Sequence, residues 1–385
     1  GGRCRHLRWM IPVLVAAGLY HIGFGLWANA WPHHVFDLCR LERPTHPVLW
    51  RGLGLLSATL GVGLLVAAGT LGGVLGQFPL GALSDRIDRR LVIAGAAAAA
   101  LAGDGYIHGI PGQCRELFRR ARKLGRPTVL NHASGPVHQQ RKLIAPEYER
   151  VGMDLEELAP LPQSYRERIA EEISLADFHC AASTVVRDQL VADGIPPERI
   201  WVVPYGADAR LFPKRAATPE GPFKICFAGR QSLRKGIHYL LKALELTGSP
   251  EWELHCFGMQ FRESSRDFRE YTGAARVIQR GSVPQAELAR AFRDMHVLVL
   301  PSAEEAFGLV VVQALEAGVP CIVSDRVGAK DLVRDGQTGT IVPFGDPEAL
   351  ARALDSWEQQ RVTVADRFPW SKCAQQLLSV RERPM

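Results

Sequence analysis

From Asp104 onward, short β-branched runs alternate with helical stretches and Gly/Pro turns. That alternation admits little besides a parallel sheet covered by helices, an α/β fold. Strand candidates are 105–108, 128–131, 178–181, 200–203, 224–228, 253–257, 277–280, 297–301, 321–324 and 339–342. Helical patterns fall between them, among them 112–123, 164–175, 237–246 and 284–295. Pro204-Tyr205-Gly206 closes one block of this rhythm and Phe223 starts the next, so a domain boundary is expected there. A chain of 385 residues has room for two or three such units.

The region before Asp104 has a different character. Residues 9–31 carry no Lys, Arg, Asp or Glu, follow Arg3, Arg5 and Arg8, and have Trp9, Trp27 and Trp31 near their ends. A run of that kind is long enough to cross a bilayer. Residues 52–84 are again uncharged. Two transmembrane helices are therefore expected within 1–103, while the Ala-rich run 91–103 is too short to span. The N-terminal arginines and Arg86, Arg89 and Arg90 would share the cytoplasmic side, leaving everything after residue 85 facing the cytosol from the inner membrane. The segment GALSDRIDRR (81–90) resembles a loop of major facilitator transporters, with Asp88 where that family has Gly. A twelve-helix transporter does not fit in the remaining chain, so the segment is read as a basic anchor beside the membrane.

A formal net charge of +6 suits an anionic membrane surface or phosphorylated substrates, or serves solubility alone. No nucleic-acid partner is expected. Eight cysteines are scattered without a C-x-x-C pair, which reads as reduced thiols, mostly small core residues. No clustered His/Asp/Cys set suggests a metal.

Two segments carry candidate chemistry. In FAGRQSLRKG (227–236) a strand ends, Gly229 gives a tight turn, and Arg230 and Lys235 follow on a loop before a helix. Cations beside a helix N-terminus suit a diphosphate, although two loop cations are ordinarily just solvated. In PSAEEAFGLVVVQALEAGVPCI (301–322) a buried strand runs into an acidic loop. Phe307-Gly308 then open a helix whose inward face is Val311, Val312 and Leu315. Gly308 lets backbone amides approach a ligand, and Glu305 stands at a strand's carboxyl end, where open α/β sheets bind ligands. Glu304 reads as a solvated neighbour.

These residues carry a resemblance. Gly229-Arg230 with Lys235-Gly236, then Pro301-Ser302, Glu305, Phe307-Gly308, Gly318 and Pro320, then Asp335-Gly336 and Gly339, follow the order and spacing of family 4 retaining glycosyltransferases of the GT-B superfamily. Upstream, Val203-Pro204-Tyr205-Gly206-Ala207-Asp208 resembles the junction between that family's two lobes. The resemblance implies that Arg230 and Lys235 hold the diphosphate of a nucleoside-diphosphate sugar and offset charge on the leaving group. Glu305 would contact the sugar, and the amides of Phe307, Gly308 and Leu309 would meet sugar and phosphate. The family's second Glu, which takes the ribose hydroxyls, is here Gln313; Gln still hydrogen-bonds a diol but carries no charge. Glu316 is out of register to replace it. His132, in TVLNHASGP (128–136), matches a family histidine near the transferred sugar, whereas His108, His138 and His179 read as structural. No cofactor beyond the donor substrate and no protein nucleophile is implied. The acceptor would be a lipid or a carbohydrate.

The domain organisation expected is a membrane-associated helical segment (1–103), a partial acceptor-side Rossmann domain (104–204), a donor-binding Rossmann domain (205–356) and a C-terminal helix packing back on the first domain (357–385). The acceptor side lacks its expected first strands and Gly-rich opening. Two rivals to a retaining transferase therefore stand: an inactive nucleotide-sugar-binding or chimeric chain, and a small membrane protein with a passenger domain.

Overall fold

A computed structural model describes residues 106–380. The expected spans at 9–31 and 52–84, the run 91–103 and the basic segment 81–90 lie outside the described residues, and the membrane placement rests on them. Among the described residues no helix is long and apolar enough to cross a membrane.

Residues 108–380 form one compact unit, and the described residues hold two sheets. The first has strands in the order β1 (Ile107–Gly109), β2 (Thr128–His132), β3 (Phe178–Ala181) and β4 (Ile200–Val202). The second contains β5 (Lys224–Ala228), β6 (Glu253–Phe257), β7 (Arg276–Gly281), β8 (Val297–Leu300), β9 (Cys321–Ser324) and β10 (Gly339–Val342). Its order is β10-β9-β8-β5-β6-β7, with parallel pairing throughout. Strands β8 and β9 are buried along their whole length, which is why they read as unbroken apolar runs.

Helices cover these sheets: α1 (Arg115–Lys123), α2 (Val137–Glu149), α3 (Leu155–Leu158), α4 (Gln163–Leu175) and α5 (Thr184–Ala192) on the first, with α6 (Ile237–Thr247), α7 (Ser265–Glu270), α8 (Gln285–Ala291), α9 (Leu309–Glu316) and α10 (Pro347–Gln360) on the second. The last helix, α11 (Trp370–Val380), follows a segment that returns to the junction between the lobes. There Ala207 N–H donates to Phe368 O at 2.8 Å, and the rings of Tyr205 and Trp370 lie 5.7 Å apart. Five strands have the limits expected from sequence. Helix α1 starts later than the expected 112 because the buried carboxylate of Glu172, on α4, accepts from the amides of Gly112, Cys114 and Arg115. That carboxylate satisfies orphan donors at a helix start that no local side chain caps. The pattern expected to be helical over 284–295 divides into α8 and a 3₁₀ turn, Phe292–Asp294. The six described cysteines are buried free thiols.

The strand ends of the two sheets face each other. Ser183, just after β3, donates from Oγ to Ala306 O at 2.6 Å, beyond β8. Thr184 binds Asp331 through its amide (2.7 Å) and hydroxyl (2.5 Å).

Candidate functional site

The loop after β5 is held before it presents any charge. Gln231 is buried; its side-chain amide donates to Gly258 O at 2.9 Å and Gln279 Oε1 at 2.8 Å, and its backbone N–H to Met259 O at 2.9 Å. From this anchored loop Arg230 lies exposed, its guanidinium 5.4 Å from the Phe261 ring centre. A 3₁₀ turn, Leu233–Lys235, then ends at Gly236, whose φ of 69° starts α6. A Cβ at Gly236 would stand 1.9 Å from the Pro301 carbonyl oxygen, so only glycine lets this turn close on the end of β8.

That close approach joins two adjacent bases to two adjacent acids. Lys235 forms an ion pair with Glu305. Arg234 holds Glu304 Oε2 at 2.7 and 2.9 Å. The solvated position expected for Glu304 is thus corrected: its side chain is fully buried, because Arg234 from the neighbouring loop supplies its counter-charge. Burial, reinforced by the nearby guanidinium of Arg234 and, more weakly, of Arg230, pushes Lys235 down to about 7; Glu304 opposes the shift.

The acidic loop is strapped to the loop after β9. Glu305 N–H donates to Arg326 O at 3.3 Å, Gly328 N–H to Glu305 O at 2.8 Å, and Ala329 N–H to Phe307 O at 2.6 Å. Gly308 (φ 93°) then opens α9 with no side-chain cap on its first turn. The amides at this end are aimed by the helix and suit an anion. Along α9, Val311, Val312 and Leu315 are buried as expected. Leu309 is exposed and Gln313 half-buried. Phe307 is buried, and its ring meets Tyr205 edge-on with centres 5.1 Å apart, so its side chain locks the lobe junction.

Arg230, Lys235, Glu305 and Gly308 therefore belong to one lobe and one set of strand-end loops, with Gln313 on the helix that follows. His132 stands apart from them, at the end of β2. It is buried, and Nε2 lies 3.0 Å from Nδ1 of the equally buried His179. Burial and His179 push His132 down to about 3. The ring borders a small cavity of about 80 Å³ with Ser134, Pro136 and Tyr165. His108 lies near Asn131 and exposed His138 pairs with Asp193 at 2.8 Å.

Sequence reasoning missed Glu147. This buried residue on α2 accepts from His238 Nε2 at 3.0 Å and Tyr239 Oη at 3.1 Å, both on the first turn of α6. No motif marks it. The Arg234/Glu304 pair did leave a signal, since two adjacent bases and two adjacent acids occupy facing loops. Glu316, out of register for ribose, is buried and anchors the returning segment through Arg367 (2.8 Å) and the amide of Phe368 (2.6 Å).

Two parallel sheets meeting at their strand ends, with cations at a glycine-rich turn facing an acidic loop and an uncapped helix, define a two-lobed α/β protein of the GT-B type. Residues 208–374 match the family described as glycosyl transferases group 1. It is 30% identical over 215 residues to a D-inositol 3-phosphate glycosyltransferase of Paenarthrobacter aurescens, covering 49% of this chain and 52% of that protein. The chain spans about half the length of the first curated relatives it matches. Among solved structures, a lipopolysaccharide outer core galactosyltransferase superposes with a TM-score of 0.56 at 20% identity, over 76% of this chain and 80% of that one. An Anabaena protein, HepE, in complex with UDP and glucose superposes with a TM-score of 0.54 at 18% identity, over 76% and 81%. Identities this low speak for the fold alone.

Proposed function

We propose that this chain transfers a sugar from a nucleoside-diphosphate sugar to a hydroxyl of a lipid or carbohydrate acceptor, with retention of anomeric configuration. The observation that carries the reading is the meeting of Lys235 with Glu305 beside the glycine that opens α9. In this reading the diphosphate lies across the amides of Phe307, Gly308 and Leu309. Arg230 and Lys235 face it, and Glu305 takes sugar hydroxyls. Gln313 holds the ribose diol.

The acceptor oxygen bonds to the anomeric carbon as the bond from that carbon to the phosphate oxygen breaks. The acceptor's proton leaves with the nucleoside diphosphate. Negative charge grows on the leaving phosphate, and fixed cations and amides there favour the transition state over the ground state. No covalent protein intermediate is invoked. The complex of HepE with UDP and glucose, on a similar fold, supports a nucleotide-sugar donor.

One departure favours a second reading, binding without transfer: Gln313 stands where the resemblance implies a carboxylate. The test is a thermal-shift screen of the full chain with UDP-, GDP- and ADP-sugars, followed by assay of transfer and hydrolysis. One donor class is expected to raise the melting temperature, and Arg230→Ala to abolish the shift. No shift with any donor defeats the reading. A shift without turnover selects the binding-only alternative.

A further inference from the structure

The sheet register puts His132 opposite Ala181 and Leu130 opposite His179. The two histidines are therefore diagonal neighbours on one face of the first sheet. Their ring centres are 5.2 Å apart, and the Nε2–Nδ1 contact is 3.0 Å. Burial leaves both rings neutral near pH 7, with His179 pushed down to about 4. Two neutral rings joined this way share one proton, and there are two ways to place it.

If His132 Nε2–H donates to His179 Nδ1, the second proton of the pair sits on His179 Nε2. That atom is buried and has no partner among the described residues. A buried N–H without an acceptor is rarer and costlier than a lone pair without a donor. If His179 Nδ1–H donates to His132 Nε2 instead, the orphan is only a lone pair. His132 then carries its proton on Nδ1.

We propose that His179 is a positioning residue: by donating from Nδ1 it fixes His132 as a neutral donor whose free N–H is at Nδ1. The histidine at the end of β2 then offers a hydrogen bond to a substrate oxygen, a hydroxyl or phosphoryl group, and removes no proton. The substrate part of this inference rests on the glycosyl-transfer reading; the tautomer does not.

The experiment is nitrogen-15 NMR of histidine-labelled full chain at pH 7, with two variants. Both rings are expected to be protonated at Nδ1 and bare at Nε2. A proton on Nε2 of His132, or an imidazolium, overturns the proposal. For activity, His179→Leu removes the donor, and kcat is expected to fall by about tenfold or more with the donor KM unchanged. His179→Asn, whose amide N–H stands near the Nδ1 position, restores most of the rate. Equal loss in both variants would mean that His179 only fills space, and ends the positioning role. A wild-type chain that turns over no donor would sink the glycosyl-transfer reading while the NMR still decides the tautomer.

Discussion

Lys235 makes a quantitative demand on donor binding. Burial and the neighbouring guanidiniums disfavour its ammonium and push it down to about 7. A diphosphate laid against it restores the favoured charge and raises that value, so binding above pH 7 must take up a proton. The sign is fixed by the shift: affinity is full below pH 7 and weakens as pH rises. With a free-site value near 7, roughly nine-tenths of a proton enters per donor at pH 8, and affinity falls by up to about tenfold per pH unit. Glu305, already paired with Lys235, favours the ammonium and makes these upper figures. The assay is calorimetric titration with a nucleoside-diphosphate sugar, whose diester diphosphate does not itself titrate between pH 6 and 8. Buffers of different ionisation enthalpy then give the proton count. Lys235→Arg, always charged, is expected to flatten the pH dependence. Donor binding at pH 8 with no proton uptake by the wild-type chain would refute the reasoning.

Two further outcomes follow from the packing. Gly236→Ala places a methyl against the Pro301 carbonyl at a φ of 69°, so the chain should lose about 2 kcal/mol or more in denaturant titration and bind donor more weakly. An unchanged unfolding midpoint would show that the turn does not need glycine. Acid should destabilise the fold early: burial holds His132 near 3 and His179 and His296 near 4, while the unfolded chain takes up protons below about 6.5. Stability is therefore full above that pH and falls by about 1.4 kcal/mol per unit for each histidine as pH drops toward 5. Equal denaturation midpoints at pH 7 and pH 5 would contradict this.

The parts of the fold that sequence made legible are those whose information is local. Val297 to Leu300 can only be a strand buried on both faces, and the glycine after β5 marks its turn. Lys235 and Glu305 were expected at one site because the order and spacing of their motifs resemble family 4 glycosyltransferases. What stayed hidden depends on partners far along the chain. Helix α1 starts where Glu172 reaches it, and Glu304 turns inward toward Arg234. His132 and His179 read as separate residues until the register of β2 against β3 brought them together. Local periodicity holds no record of such pairings.

The seam between the lobes is chemically lopsided. At the junction edge it is greasy, with Phe307 set against Tyr205 and Trp370 beyond. At the Glu147 edge a buried carboxylate accepts from His238 and Tyr239, hydrogen bonds whose loss costs about 2 kcal/mol each. Parting the lobes would therefore bare aromatic surface at one edge and free a buried carboxylate at the other.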